Sequence, residues 1–493
     1  MRPRASAAGP APATRGCAFS PRTDLTDPDR KKLVLVVVDG LTPEVLARGL
    51  AEGRLPALAT LAADGWSGRG TSVFPSLTPV CLTSIATGAF PDVHHIPHLV
   101  WYHRGERRVV EYGSSFSAMR AAGTRRSIRD TMFAMSGEHV AGNATTVFEA
   151  LEDGGLEPAA INFTCYRGRT RHEIRLPSVA RRNRWYGSVL GPRHFFFFNV
   201  FESEQTGAPL AVRSRLEGSI DEYAGVVGRW LVTRDAFDFL VFYLPDYDYA
   251  SHIAGPEGSL DALERSDGAL ARLLEAGGGA EEFLERYAVL VCSDHGQTAV
   301  ERLARLDDAF AAREPGVLAL ASNRAGMVYR LVGCRLDARS LAERLDEQPA
   351  ADVVLFREDG AAVARRDGSE VRFALDGDEW RVEGDASVLD PGRYPNGLER
   401  SWRALLCPNA GDVLVSATEG WEFADLGGRH HLGGGSHGSL LAGDSTVPLV
   451  AAGFDEPPFP PEAGITDLAP LALAHFGLPA PASMRRPREA ARA

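Results

Sequence analysis

Cysteine is scarce and scattered. Cys17, Cys81, Cys165, Cys292, Cys334 and Cys407 form no C-x-x-C pair, which excludes both a disulfide framework and a zinc-finger pattern. Long apolar runs are missing too. The longest candidates, Leu33–Val38 and Phe195–Phe198, are strand-sized and fall far short of the ~18 residues a membrane helix needs. Positive charge is in deficit: 53 Lys and Arg against 65 Asp and Glu leave a net charge of −12, which gives no support to binding of a nucleic-acid polymer. The N-terminus has positive charge but no apolar segment behind it, so it does not read as a Sec signal. Residues 1–30, rich in Ala, Pro and Arg, read as a disordered tail, and residues 481–493 as a second one. These absences point to a protein of the reducing cytoplasm, without membrane attachment.

What remains is an ordinary globular composition, 44% apolar over 493 residues, enough for one large domain with insertions or for two domains. Lys32–Val38 is a continuous β-branched run, as expected of a strand buried on both faces, and it ends at Asp39-Gly40. Ala159–Phe163, Asp238–Leu244 and Ala288–Ser293 read as further strands, and Val447–Ala452 as another. Between them lie helical patterns: one opening at Thr42-Pro43, one over Thr145–Leu151, a long one capped by Ser259, and one over Val300–Ala312. The alternation predicts an α/β fold with a mostly parallel central sheet flanked by helices. Residues 333–427 change texture. Short alternating pieces separated by Asp359-Gly360, Asp367-Gly368 and Asp376-Gly377 predict antiparallel hairpins. This gives a core of residues 31–332 and 428–480 with an inserted β-rich or α+β subdomain over 333–427.

The stretch Phe74–Gly88 organises the chain. Pro79 suits the first helical position, which makes Thr78 the expected N-cap of a helix running to Thr87. A hydroxyl held there caps the helix, or it attacks phosphorus if a metal lowers its pKa. The arginines Arg167, Arg169, Arg171, Arg175, Arg181, Arg182, Arg184 and Arg193 form a local basic island. A solvated face accounts for most of them, and an anion clamp for one or two.

The strand ends and tight loops present Asp39, Thr78, Asp248 with His252, Asp294 with His295, and His437. Asp39 alone could equally cap the next turn. Asp248 and His252 are four apart, which puts both on one face of a helical turn. Asp246 is the alternative to Asp248. Carboxylate and imidazole together suit zinc, with manganese second, better than calcium or magnesium. Seven ligands from five segments divide into two sites, and two divalent metals about 3.5–4 Å apart would clamp a phosphoryl group between attacking and leaving oxygens.

In this arrangement the chain resembles the alkaline phosphatase superfamily. Within it, the chain is similar to the type I phosphodiesterase/nucleotide pyrophosphatase family, through Val36–Gly40, Phe74–Pro79, Thr87–His94, Leu244–Pro256, Ser293–Gly296 and Gly435–Gly438. The resemblance implies one metal on Asp248, His252 and His437, and a second on Asp39, Thr78, Asp294 and His295. It implies Thr78 as a transiently modified nucleophile and a small anionic phosphate ester as substrate, a phosphodiester or nucleotide pyrophosphate first. A phosphomonoesterase, phosphonate hydrolase or phosphomutase on the same core is the alternative. The Asn that the family places soon after its post-nucleophile His is absent from His94–Trp101. The Cys/Ser-x-Pro-x-Arg signature of sulfatases is absent at Thr78–Leu82. His94, His95 and His98 suit structural or substrate-contact roles better than a further metal cluster, and Cys81 suits core packing.

Overall fold

The computed structural model describes residues 30–173, 188–198, 200–208, 219–310 and 314–484. Both expected tails lie outside these residues, apart from Arg30 and 481–484, as do Arg175, Arg181, Arg182 and Arg184 of the basic island.

The strand Lys32–Val38 lies near the middle of an eight-stranded sheet. Across the sheet the order is Trp66–Thr71, Thr446–Ala452, Tyr287–Cys292, Lys32–Val38, Phe239–Leu244, Pro158–Ile161, His194–Phe197 and Phe201–Glu202. The five strands from Tyr287–Cys292 to His194–Phe197 are mutually parallel; Thr446–Ala452 runs antiparallel between Tyr287–Cys292 and the edge strand Trp66–Thr71, and Phe201–Glu202 is an antiparallel strand at the other edge. Alternate residues of Lys32–Val38 enter opposite cores. Leu33, Leu35 and Val37 pack in one apolar cluster, and Val34, Val36 and Val38 in the other. Burial on both faces is why this run carries no polar alternation.

A second, seven-stranded sheet is antiparallel throughout. Its order is Val317–Ser322, Ala325–Arg330, Val413–Ala417, Ala351–Glu358, Ala361–Arg366, Ser369–Asp376 and Glu379–Gly384. Asp359-Gly360 and Asp367-Gly368 turn its hairpins with positive φ at both residues, as a type I′ turn requires. Among the described residues no helix is long and apolar enough to cross a membrane.

Three local expectations are overturned. Val300–Ala312 is not a helix: Arg302–Ala304 pairs in parallel with Trp421–Phe423, and only a 3₁₀ turn, Leu306–Ala309, follows. The N–H groups of Glu301 and Arg302 both donate to the carbonyl of Gly420, so a distant partner overrides good local helix propensity. Thr78 is not the N-cap either. Leu77 holds that position in extended conformation, and its carbonyl accepts the N–H of Cys81 at 2.9 Å. Ser259 does precede the long helix Leu260–Ala276, but its hydroxyl donates to Gly255 O instead of capping.

Two buried arginines, Arg324 beside the second sheet and Arg400 in the helix Gly397–Leu405, hold the loop that follows His437. Arg324, next to the strand Ala325–Arg330, pairs with Asp444 at 2.7 Å with both side chains wholly buried. Asp444 also accepts the backbone N–H of Ser439 (2.9 Å) and the Thr298 hydroxyl. Arg400 donates to the carbonyls of Leu440 (3.0 Å) and Val73 (3.3 Å) and to the Ser445 hydroxyl. Asp444→Ala leaves the Arg324 charge buried without its partner, and it should lower stability by about 3–5 kcal/mol. The midpoint of urea unfolding measures this, and the double replacement Arg324→Met with Asp444→Leu should recover much of the loss.

Candidate metal centre

Three carboxylates leave the same end of three adjacent parallel strands. Asp39 follows Lys32–Val38 directly, Asp294 follows Tyr287–Cys292 after one serine, and Asp248 lies in the first turn of the helix Asp246–Ala254 behind Phe239–Leu244. Carboxyl ends of parallel strands are where open α/β sheets bind ligands. The backbone between Asp39 and the next helix is constrained by the site itself. Gly40 has φ +71°, and a Cβ there would lie 2.9 Å from Asp248 Oδ1.

Each carboxylate has one oxygen tied down. Tyr243 OH donates to Asp39 Oδ2, the N–H groups of Gly40 and His295 to Asp294 Oδ1 (3.3 and 3.0 Å), and Gln297 Nε2 to Asp248 Oδ1. The other oxygens, Asp39 Oδ1 and Asp294 Oδ2, are buried and accept no hydrogen bond. They stand 3.3 and 3.4 Å from His295 Nε2, and Thr78 Oγ1 is 3.1 Å from the same nitrogen. Released from capping, the Thr78 hydroxyl is free to point there.

The three histidines share one device. His295 Nδ1 donates to Gly296 O (3.0 Å), His252 Nδ1 to Gly435 O (2.9 Å) and His437 Nδ1 to Ser76 O (2.8 Å). A carbonyl can only accept, so the proton is fixed on Nδ1 and Nε2 is turned inward, the arrangement that prepares an imidazole for a metal. His252 Nε2 lies 3.3 Å from Asp248 Oδ2, and His437 Nε2 lies 3.8 Å from Asp248 Oδ1. The rings of His295 and His437 stack at 3.6 Å.

The electrostatics match the geometry. Burial first, then the charges of Asp294 and Asp248, pushes the Asp39 carboxyl well above its usual range, and burial raises Asp294 as well. Burial opposes the Asp248 carboxylate too, but His252, His437 and His295 outweigh it and hold it low. His252 is correspondingly raised to about 9, burial opposing and Asp248 prevailing. Burial and the neighbouring His295 push His437 well below its usual value. Anions crowded without enough countercharge, facing inward-turned imidazole nitrogens, fit divalent cations.

All seven residues singled out in the sequence therefore meet in one place, from five segments. Two compact ligand sets emerge, Asp39 with Asp294 and His295, and Asp248 with His295 and His437; in each, the ligand atoms lie within 4.8 Å of one another. His295 belongs to both, where the family resemblance groups His252 with Asp248 and His437 instead. Asp246 turns away: its Oδ2 accepts the N–H of Asp221 (3.0 Å), fixing the helix Ser219–Val232. His94 and His98 are buried and accept the N–H groups of Ile96 and Val100, which is structural work. Arg167 donates to the carbonyls of Val140 and Ala141, and Arg169 pairs with Glu149 and Asp153, so neither serves as an anion clamp.

Several supporting residues escaped the sequence reading. Tyr243 had a signal, since a hydroxyl inside a buried strand needs a partner. Gln297, with Ser251 donating to it, and Asn323, whose Nδ2 is 2.9 Å from His437 Nε2, had none. His431, stacked on His252 with ring centroids 4.0 Å apart and held at Nδ1 by Glu422 (2.6 Å), lies in a glycine-rich loop that offered no pattern.

Comparison with known proteins places the fold. No curated protein matches the sequence. Among solved structures, phosphonoacetate hydrolase from Sinorhizobium meliloti 1021, in complex with phosphonoformate, is similar at 18% identity and TM-score 0.59, covering 91% of this chain and 96% of that one. Human ectonucleotide pyrophosphatase/phosphodiesterase 5 is similar at 15% identity and TM-score 0.57 with the same coverage. Its murine counterpart, solved as an inactive threonine-to-alanine variant in complex with AMP, is similar at 14% identity and TM-score 0.57, again covering 91% of this chain and 96% of that one. Residues 33–440 match the type I phosphodiesterase/nucleotide pyrophosphatase family, and the chain is a phosphoester-hydrolysing member of that family.

Proposed function

We propose that the protein hydrolyses phosphodiester or nucleotide pyrophosphate bonds, using Thr78 as nucleophile and two divalent metal ions, zinc first and manganese second. The observation that carries this reading is the convergence on His295 Nε2 of a threonine hydroxyl at 3.1 Å and two buried, partnerless carboxylate oxygens at 3.3 and 3.4 Å. Asp39, Thr78, Asp294 and His295 would hold one ion, and Asp248, His252 and His437 the other. Cations there supply Lewis acidity, lowering the pKa of the hydroxyl and neutralising the phosphoryl oxygens.

The chain's own groups do the rest. Thr78, at the first position of its helix, presents Oγ1 at a fixed point because Pro79 and the Leu77 carbonyl lock the turn behind it. Oγ1 gives up its proton and bonds to phosphorus as one ester oxygen leaves and is protonated, giving a threonine phosphodiester that keeps the other substituent; water then displaces the threonine oxygen, which regains a proton, and a phosphomonoester is released. The inactive threonine-to-alanine form of the murine relative supports this role. A phosphonate hydrolase is the second reading, favoured by the likeness to phosphonoacetate hydrolase.

Metal analysis of the purified protein should find two transition metals per chain, and a chelator should abolish hydrolysis of bis(p-nitrophenyl) phosphate. Full activity in chelator, with no metal bound, would sink the mechanism.

Thr78→Ala should lose on the order of 10⁴-fold or more in kcat while keeping its metal content. Since Thr78 makes no cap bond, its stability should change by less than about 0.5 kcal/mol. Thr78→Ser should retain part of the rate. A Thr78→Ala enzyme turning over near the wild-type rate would remove the nucleophile.

Asp248→Ala should empty one metal site, read by metal stoichiometry. Asp246→Ala should instead leave the stoichiometry at two and lower thermal stability, because its carboxylate serves Asp221. Equal metal content in Asp248→Ala and wild type would overturn this assignment.

A further inference from the structure

Beside the metal centre lies a cavity of about 410 Å³ lined by Ser114–Ser117, Ser322, Asn323, Glu422, Asp425, Arg429 and His431. Two of its walls touch the centre directly. Asn323 Nδ2 is 2.9 Å from His437 Nε2, and His431 stacks on His252 at 4.0 Å. The third wall is built by close packing. Gly427 presses on the first turn of the helix Phe116–Ala122, where a Cβ would lie 2.4 Å from Ala118 N, so residues 425–431 and this helix form one rim.

Most polar groups of this cavity are already committed. Glu422 accepts His431 Nδ1 (2.6 Å) and the Ser436 hydroxyl (2.9 Å). Asp425 Oδ1 accepts the N–H groups of Gly427 and Arg429, both at 2.8 Å. Ser115 caps its helix, and Ser114 donates to Glu111. One charged group is left over. The Arg429 guanidinium is exposed and takes no side-chain or carbonyl partner among the described residues, although Asp425 fixes its backbone. The ring of Phe116 stands at the same rim, 74% exposed.

Glu422 is paired with His431 and Asp425 is held through Oδ1 by backbone N–H groups, which leaves the Arg429 guanidinium as a cation of the lining with no partner among the described residues. We propose that this cavity receives the part of the substrate beyond the reacting phosphorus, and that Arg429 pairs with a second anionic group there, a carboxylate or a phosphate. The inference rests on the phosphoester-hydrolase reading of the adjoining centre. A guanidinium suits either anion, because its planar fork matches two oxygens at once. Arg429 is then a specificity-determining residue: it selects doubly anionic substrates over esters of neutral alcohols.

Calorimetric titration of the zinc-loaded protein tests this with two ligand pairs that differ by one anion: methylphosphonate against phosphonoacetate, and methyl phosphate against methyl diphosphate. In the wild type, at least one doubly charged ligand should bind roughly ten- to a hundredfold tighter than its partner, the gain expected of one charge-assisted contact. The pair that shows the gain identifies carboxylate or phosphate. Arg429→Ala should abolish the gain while leaving the singly charged ligand within about twofold, and Arg429→Lys should keep part of it. A gain that survives in Arg429→Ala, or no gain in either wild-type pair, overturns the proposal. Hydrolysis of bis(p-nitrophenyl) phosphate by the same preparations separates the two ideas. Turnover without a gain refutes the role of Arg429 alone, and a gain without turnover refutes the hydrolase reading alone.

Discussion

The structure depends on a concentration of negative charge that the fold cannot neutralise by itself. Asp39, Asp248 and Asp294 leave adjacent strand ends into a buried interior, and His252, which Asp248 holds above its usual value, pairs with just one of the three. In a folded chain this arrangement is costly unless cations complete it. The surrounding hydrogen bonds serve that end. One oxygen of each carboxylate is anchored, and each imidazole is fixed through Nδ1 to a backbone carbonyl. Rotational freedom is removed before any ion arrives, as preorganisation of a reactive site requires.

Holding these groups in register is a long-range problem. His437 is 398 positions from Asp39 along the chain, counting from 39 to 437. It reaches the centre because Arg324 and Arg400 clamp the segment 439–445 from inside, through Asp444, Leu440 and Ser445. The second sheet therefore does more than decorate the core. Its residue Arg324 donates its backbone N–H to His437 O at 2.8 Å, and neighbouring Asn323 faces the His437 ring. The same sheet and the loop behind it form the cavity wall that carries Arg429, so the second sheet also borders the approach to the centre.

Some of this was legible in the sequence and some was not. The residues that converge at the strand ends could be read because their types are chemically narrow and their positions follow apolar runs that announce buried strands, as Val38 announces Asp39 and Cys292 announces Asp294. The four-residue spacing of Asp248 and His252 gave their shared helical face. Reading failed where a distant partner decided the outcome. Arg302–Ala304 became a strand because Gly420 and Trp421–Phe423 supplied backbone partners that no local pattern reveals. Thr78 moved one place into its helix because Leu77 could adopt the extended cap conformation without a side-chain bond.

The sequence alone determined the parallel core, the hairpins at Asp359-Gly360 and Asp367-Gly368, and the seven residues of the centre, because buried strands, type I′ turns and metal-binding side chains each demand particular residue types. Only the tertiary structure decided how those seven are shared, that His295 stands between both carboxylate groups, that Asp246 faces Asp221 and not the centre, and that Arg429 is left without a partner among the described residues. Those outcomes depend on which side chains meet across segments far apart in the chain, and on which polar groups are already satisfied when they do. A linear pattern carries no record of either.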